Sequence, residues 1–332
     1  MKLRKDYLMT VILIAGGAVL GALIALSVKD KTPVAVTDSG VTKSALRGKT
    51  LAPEYYYDIE KYKGIEPKLF KWKEMQEVKT GLKKVYGVSV SPDGRLAVCG
   101  ENGIEVYSGG KLQETIQMEE PVTCVYFDNN IIFGTREGVG IYADGKKAWI
   151  FGPPARGKGP QLKYVSSVAA SEGRIFIADA VAKKIYVYLN ESKQLTEIKG
   201  NKRFIIPSPH FDAAVKEGAL YVNNPGEHRI EKYSFDGKFL RGFGRPGMDV
   251  EGFSGCCNPT NILVLKDGRI VTSEKGLPRI KIFSAEGKLL EVVAGPKDFS
   301  ENCVFMDLAV DGKGRIYALD SFRKSVRIFE RK

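Results

Sequence analysis

The sequence of 332 residues contains only two histidines, two tryptophans and five cysteines. Two histidines are too few for a His-rich metal centre, and no His-Glu-x-x-His motif occurs. Gly-x-Ser-x-Gly and the phosphate loop GxxxxGK[ST] are also missing, so neither a nucleophile elbow nor a nucleotide site is indicated. No Cys-x-x-Cys pair occurs, which leaves the sequence without a known zinc-site spacing. The sequence therefore contains no recognised catalytic motif.

Long runs of like charge are missing as well, although the chain is basic overall. The chain contains 51 Lys and Arg and 39 Asp and Glu, which gives a formal net charge of +12, but no run of five or six like charges appears. A diffuse excess of this kind is weak evidence for nucleic acid, and we expect no nucleic-acid partner. Hydrophobic residues make up 43% and aromatic residues 10% of the chain, which indicates a globular protein.

One uncharged apolar stretch lies near the N-terminus, at Leu8–Val28. A helix rises roughly 1.5 Å per residue, so this stretch would span about 30 Å, the thickness of the bilayer hydrocarbon. Basic residues precede it: Lys2, Arg4 and Lys5. The positive-inside rule then predicts a single-pass anchor with the N-terminus in the cytoplasm and the remainder on the extracytoplasmic side.

The alternative to an anchor is a cleaved signal peptide. The apolar run is longer than the usual h-region, and no Ala-x-Ala site follows it directly, although Ala25-Leu26-Ser27 is similar to one. We therefore predict a cytoplasmic stub and transmembrane anchor at residues 1–28. Residues 29–68 begin with a polar stretch that has no periodicity, and we interpret them as a linker.

The clearest pattern in the chain lies between Asn258 and Gly295. Four short runs rich in Val, Ile and Phe alternate with Gly, Pro and Asp, and they predict strands at Asn261–Leu265, Arg269–Ser273, Arg279–Phe283 and Leu289–Val293. The Asp267-Gly268 pair between two such runs is a strong hairpin signal, because glycine reaches positive φ without a Cβ clash. This segment predicts a four-stranded antiparallel meander.

The meander recurs along the chain. The first-turn glycines of four copies, Gly173, Gly218, Gly268 and Gly314, lie 45, 50 and 46 residues apart, and two weaker copies lie upstream. A period of roughly 40–50 residues with four strands per unit is typical of a β-propeller. The six copies therefore predict an all-β, six-bladed β-propeller behind one N-terminal transmembrane helix.

The sequence pattern of the repeat resembles that of the NHL-repeat propeller family. The resemblance rests on the pattern P-x-x-[IV]-x-[VL]-x-x-[DE]-G-[RK], which continues into [RK]-[IV]-x-[IV]-[FY]. It is best at Pro259–Gly287 and Leu308–Phe329, fair from Val165 to Gly244, and covers residues 69–332. The resemblance implies the fold but hardly a function, because that family includes binding scaffolds and a few enzymes.

The last repeat ends at Phe329 after only three strands. An open propeller would leave a strand edge exposed, so the first and last blades must be joined. Phe70–Val78 alternates in the manner of a strand, and we predict that it supplies the fourth, outer strand of the final blade.

In a four-stranded blade, the loops lie on two opposite faces of the propeller. The loop between the second and third strands shares a face with the linker between blades, which we call the linker face; the Asp-Gly turns lie on the opposite, turn face. Both histidines and three cysteines map to the linker face: His210, His228, Cys256, Cys257 and Cys303. Basic residues gather there too, and those proposed to attract an acidic protein partner or an anionic ligand are Arg156, Lys158, Lys202, Arg203 and Arg245.

The adjacent Cys256 and Cys257 allow four interpretations. They are structural thiols or form an ordinary disulfide with Cys303, or they form a disulfide with each other. They could also hold a metal or iron–sulfur cluster together with Cys303 and one of the histidines, or take part in redox exchange. The other two cysteines, Cys99 and Cys124, are flanked by valine and are interpreted as small buried hydrophobic residues.

The leading functional hypothesis is a non-enzymatic scaffold that binds a protein or a ligand at the outer membrane surface. The rival is a metal- or thiol-dependent redox or electron-transfer protein that uses the cysteines of the linker face. A hydrolase or lyase in the central channel is a third class. The recurring carboxylates Asp179 and Asp320, at the ends of second strands, are interpreted as architectural, since such groups commonly bind loop N–H groups.

Overall fold

A computed structural model describes residues 59–152, 160–300 and 302–332, together with two short strands that pair with each other, β1 (Val36–Thr37) and β2 (Gly40–Val41). The chain divides into two units, residues 1–57 and 58–332. Within the described ranges, no helix is both long enough and apolar enough to cross a membrane. The predicted anchor Leu8–Val28 and the basic residues Arg156 and Lys158 lie outside the described residues.

The second unit is a six-bladed β-propeller, which confirms the predicted number of blades. Its first strand is β3 (Trp72–Lys79). The first two blades are β4 (Val85–Val90), β5 (Leu96–Gly100), β6 (Gly103–Ser108), β7 (Lys111–Gln117) and then β8 (Val122–Phe127), β9 (Ile131–Thr135), β10 (Val139–Ala143), β11 (Lys146–Phe151). The third and fourth are β12 (Val165–Ser171), β13 (Arg174–Asp179), β14 (Lys184–Leu189), β15 (Leu195–Ile198) and β16 (Ala213–Lys216), β17 (Ala219–Asn224), β18 (Arg229–Ser234), β19 (Phe239–Phe243).

The last two blades complete the ring. They are β20 (Asn261–Val264), β21 (Ile270–Glu274), β22 (Arg279–Phe283), β23 (Leu289–Ala294) and β24 (Met306–Val310), β25 (Ile316–Asp320), β26 (Ser325–Arg331). Short 3-10 helices lie at Ile59–Tyr62, Pro67–Leu69, Pro225–Glu227 and Pro296–Asp298. The first five blades are antiparallel meanders of four consecutive strands, and the four strands predicted between residues 258 and 295 match the observed bounds to within one residue.

The ring closes as predicted. Strand β3, from the start of the propeller, pairs antiparallel with β26 and becomes the outer strand of the sixth blade. The register places Lys79 opposite Ser325 and Trp72 opposite Arg331. Residues more than 240 apart in sequence thereby form one ladder, and the edge of β26 is covered.

The second strands of the fifth and sixth blades are buried because adjacent blades pack against both of their faces. Every residue of β21 and β25 is buried, whereas in the outer strand β7 only Ile116 is buried. Apolar side chains of adjacent sheets meet in the gaps between them; Leu263 and Ile280 of the fifth blade, for example, share a cluster with Met306 and Ala318 of the sixth. A single blade has nothing to cover its faces, so the blades are stable only as a ring.

Candidate functional site

The carboxylates at the ends of the second strands hold the loops of the linker face. Asp179 accepts hydrogen bonds from the backbone N–H groups of Lys163, at 2.7 Å, and Ala182, at 2.8 Å. Asp320 accepts from the N–H groups of Phe322 and Arg323 in the same way. The architectural interpretation of these two residues is confirmed.

Blade five has Glu274 at the corresponding position, and this residue is the centre of a buried ion network. Glu274, Arg279 and Lys281 have no exposed side-chain surface, and the Arg279 Nη2 to Glu274 Oε2 distance is 2.6 Å. Burial would raise the pKa of Glu274, but Lys281 and Arg279 outweigh it and hold that pKa below its usual value. Arg279 and Lys281 also donate to the carbonyl oxygens of Met248 and Gly252. The network fixes the loop that leads into blade five.

This network corrects one part of the sequence interpretation. Arg279 begins β22, at the loop between the second and third strands of blade five, where the sequence suggests an exposed basic residue of the linker face, but its charge is buried and compensated by Glu274. Arg245 is compensated as well, because Asp249 accepts two hydrogen bonds from its guanidinium, at 2.9 and 2.8 Å. Arg245 accordingly lowers the pKa of Asp249 to about 2. Neither arginine contributes a free positive charge to the face.

Other cations of the linker face remain exposed. Lys202 and Arg203 form no ion pair with a described residue, and the same holds for Lys183 and Lys324 in the loops of blades three and six. Large apolar side chains are exposed in the loops of the same face: Val181 at 55%, Val304 at 50% and Phe322 at 52%. The described part of the linker face therefore combines uncompensated positive charge with exposed apolar surface.

The structure brings the two adjacent cysteines together. Their sulfur atoms lie 3.1 Å apart, with Cys256 exposed and Cys257 buried. His228 reaches the same loop, where its Nε2 contacts the carbonyl oxygen of Gly255. All five cysteines are free thiols, and Cys99 and Cys124 are buried, which confirms their interpretation as small core residues.

Cys303 and His210 both contact Phe305. The Cys303 thiol donates to the carbonyl oxygen of Phe305 at 3.4 Å and contacts Ser321 Oγ at 3.8 Å. The His210 ring packs against Phe305, with 5.7 Å between centroids, and burial lowers its pKa to about 3. Within the described ranges, no three His, Cys, Asp or Glu side chains form a group that could hold a metal ion. The described residues therefore provide no set of ligands for the predicted metal or iron–sulfur site.

A cavity of about 490 Å³ occupies the centre of the ring. The inner strands of all six blades line it, and the polar or thiol side chains along it include Cys124, Ser167, Asp212, Asn261 and Asp307. Its lining extends to residues in or next to the turns after the inner strands, Pro92, Asp128, Lys216, Lys266 and Gly312, which places its mouth on the turn face. The cavity thus opens on the face opposite to the one that carries the predicted site residues.

Side chains on the inner strands tie each blade to the next around this cavity. Asp307 accepts a hydrogen bond of 2.7 Å from the Val88 N–H, and Asp212 one of 2.8 Å from the Ile262 N–H. Asn261 donates its Nδ2 to Asp307 at 2.9 Å, whereas its Oδ1 is buried without a hydrogen-bond partner among the described residues. Two carboxyl groups and one unsatisfied amide oxygen therefore share the cavity wall.

Burial raises the pKa of both carboxyl groups. The pKa of Asp212 rises to about 6, and that of Asp307 rises to about 8 because the Asp212 charge adds to the effect of burial. A pair of perturbed carboxyl groups beside a cavity is a common feature of binding sites. Sequence reasoning missed these residues, although the segments FDAAV, TNILV and MDLAV show an Asp or Asn at the start of three successive inner strands.

Comparison with known proteins supports the fold. No family model matches the chain. Among solved structures, the chain is similar to the WD40 β-propeller domain of Doa1, with 19% identity, a TM-score of 0.53 and coverage of 77% of this chain and 81% of that one. It is also similar to streptogramin B lyase, with 14% identity, a TM-score of 0.57 and coverage of 79% and 98%.

A third similar structure is XC5397 from Xanthomonas campestris, described as a gluconolactonase. The identity is 15%, the TM-score is 0.58, and the alignment covers 77% of this chain and 88% of that one. These three proteins are a WD40 domain and two enzymes, and their sequence identities to the chain are all below 20%. The similarity therefore supports the propeller fold alone.

Proposed function

We propose that the chain is a membrane-anchored, extracytoplasmic propeller of the NHL type that acts as a protein-binding scaffold. Its partner is an acidic protein that docks on the linker face. One observation carries the proposal: exposed and uncompensated Lys202 and Arg203 share this face with the exposed apolar side chains Val181, Val304 and Phe322. Apolar anchors surrounded by charge of one sign are typical of a surface that recognises a partner of opposite charge.

The contributions of the two kinds of side chain differ. Burial of Phe322 and Val304 under a partner would stabilise the complex through the hydrophobic effect, at roughly 25 cal/mol per Å² of apolar surface. The cations would mainly accelerate association and select against basic partners, and salt would screen their effect. We therefore expect docking that weakens as salt is added but does not vanish.

Site-specific photo-crosslinking in cells tests the docking face. A photoreactive residue at position 322 of the full-length chain should give a discrete protein adduct, identified by mass spectrometry as an acidic protein. Leu112 is the matched control, because it is exposed to the same 52% as Phe322 but lies on outer strand β7. The double variant Lys202→Glu/Arg203→Glu should remove the adduct at 322. Equal adducts at 322 and 112, or an adduct that survives charge reversal, would contradict the proposal.

The anchor is supported only by the uncharged run Leu8–Val28 and the basic residues before it. Alkaline washing of membranes should leave the full-length chain in the pellet and release a variant that lacks residues 8–28. Protease added outside intact cells should reach the propeller. An N-terminus that begins after residue 27 in the mature chain would show a cleaved signal peptide instead.

A second candidate function is the binding of a small cationic ligand in the central cavity. It is favoured by Asp212, Asp307 and the unsatisfied Asn261 oxygen, all three of which would accept hydrogen bonds from an ammonium or guanidinium group. Calorimetric titration of the full-length chain with methylammonium, guanidinium and Ca²⁺ would test it. Binding should strengthen as the pH rises from 6 to 8 and the carboxyl groups ionise, and Asp307→Asn should weaken it. Asp267→Asn, in an exposed turn, serves as the control, and no heat from any probe would remove this candidate.

A further inference from the structure

The Cys256 and Cys257 sulfur atoms lie 3.1 Å apart. Two sulfur atoms at this separation need only a short movement to form a bond, since a disulfide joins them at about 2.05 Å. Cys256 is exposed and can be reached by a reagent, whereas Cys257 is buried. The pair therefore has one accessible thiol and one internal thiol.

The residues on both sides of the pair are fixed to the propeller. Before the pair, the Ser254 N–H donates to Glu274 Oε2 at 3.0 Å. After it, Asn258 donates its Nδ2 to the carbonyl oxygens of Ser254, at 2.7 Å, and Lys275, at 2.9 Å, and it accepts from the Lys275 N–H. These bonds hold the segment that carries the two thiols at both ends, so the thiols stay close together.

We propose that Cys256 and Cys257 form a reversible disulfide with each other, by exchange with a small-molecule disulfide such as oxidised glutathione. The Cys256 thiolate attacks one sulfur of the oxidant, which forms a mixed disulfide and releases one thiolate. The Cys257 sulfur, after loss of its proton, then attacks Cys256 and releases the second. The two cysteines lose two electrons and two protons, and the small disulfide is reduced to two thiols.

The geometry also determines which thiol pairs with Cys256 and how readily the resulting disulfide is reduced. Cys303 is engaged with Phe305 and Ser321, so it does not compete for Cys256. The Cα atoms of adjacent residues are about 3.8 Å apart across a trans peptide, shorter than the roughly 4.4–6.8 Å that disulfides prefer. A bond between neighbours is therefore strained, and strained, exposed disulfides are the ones that are readily reduced.

Peptide mapping of the oxidised protein tests the proposal. The full-length chain is equilibrated with mixtures of reduced and oxidised glutathione, alkylated and digested with trypsin. Cys256 and Cys257 lie together on the peptide 242–266, and Cys303 lies on the peptide 298–313. We expect the first peptide to lose two hydrogens and both alkylation sites as the oxidant is increased, and to recover them when glutathione is reduced again. The second peptide should stay alkylated throughout.

Variants distinguish the competing outcomes. Cys257→Ser should trap glutathione on Cys256, because the resolving thiol is missing, whereas Cys303→Ser should behave as the unaltered chain. A cross-linked pair of the two peptides would overturn the proposal in favour of a Cys303 disulfide. Stable glutathione on Cys256 of the unaltered chain, or full alkylation at every ratio, would also overturn it. These mapping results do not depend on whether the linker face binds a partner.

Discussion

The Asp307 carboxylate accepts a hydrogen bond of 2.7 Å from the backbone N–H of Val88, 219 residues earlier in the chain. Asp307 lies on the inner strand of the sixth blade and Val88 on that of the first, so this bond joins the two ends of the ring beside the central cavity. The outer edge of the same blade is completed by the pairing of β3 with β26. The ring is therefore closed at its inner and its outer rim by different parts of the chain.

The pH dependence of stability should reflect Asp307 and Asp212. Their folded-state pKa values, about 8 and about 6, lie above the ordinary value for aspartate, so the folded state binds these protons more tightly than the unfolded state. Their stabilising contribution is complete below the ordinary aspartate pKa of about 4. It declines as the pH rises, up to about pH 6 for Asp212 and up to about pH 8 for Asp307. We therefore expect the free energy of unfolding to fall between pH 5 and 8 and to level off above pH 8.

Denaturant unfolding of the full-length chain at pH 5, 7 and 9 measures this effect. Asp307→Asn should flatten the dependence above pH 7, while Asp267→Asn, in an exposed turn, should leave it unchanged. A dependence that is equally steep in Asp307→Asn would contradict the assignment.

Removal of the charge of Glu274 should strongly destabilise the propeller. Glu274→Gln leaves Arg279 and Lys281 buried without a counter-charge, a change that typically costs about 3–5 kcal/mol. Asp267→Asn removes a comparable but exposed pair with Arg269, and should cost about 0–1 kcal/mol. Denaturant midpoints of the two variants give the comparison. Similar midpoints would show that the buried network adds little to stability.

Truncation should reveal the role of the closing strand. A chain that begins at residue 59 keeps β3, whereas one that begins at residue 80 lacks it and exposes the edge of β26. We expect the shorter chain to aggregate or form dimers through that edge, because its N–H and C=O groups have no partner. Light scattering during purification measures this. A stable monomer from residue 80 would show that the ring does not need the outer strand.

The five thiols should react with iodoacetamide at different rates. Cys256 is exposed and should be alkylated first. Burial raises the pKa values of Cys99 and Cys124 well above the usual value for cysteine, and it raises the pKa of Cys303 to about 11. These three thiols should therefore react only on unfolding. Timed alkylation followed by peptide mapping gives the order. Rapid labelling of Cys99 in the folded chain would contradict the burial of the inner strands.

Much of the fold could be predicted because its signals are local. Strands β20 to β23 follow from alternating apolar residues and from turns such as Asp267-Gly268, where Gly268 has a φ of 83°. The closure by β3 follows from counting strands, since the last repeat has three and a ring needs a fourth. The anchor at Leu8–Val28 remains a prediction, because it lies outside the described residues.

The candidate sites were less predictable, because charge in a sequence does not reveal exposure or partners. In the sequence, these four residues are equivalent basic residues in loops: Arg245, Arg279, Lys202 and Arg203. In the structure, carboxylates pair with Arg245 and Arg279. Lys202 and Arg203 are exposed and have no ion pair among the described residues. The sequence also could not show which cysteines lie in contact. In the structure, Cys257 contacts Cys256, whereas Cys303 contacts Phe305.

The sequence by itself determined the number of blades, their strand order and the way the ring closes, since strand pairing follows from short-range alternation and turn chemistry. Only the tertiary structure decided that Asp212, Asn261 and Asp307 share one cavity and that the carboxyl groups of Asp212 and Asp307 hold protons unusually tightly. These residues are separated by more than forty positions in the sequence. Their proximity and the raised pKa values of the two aspartates depend on the closed ring, because it brings the inner strands side by side and buries the two carboxyl groups.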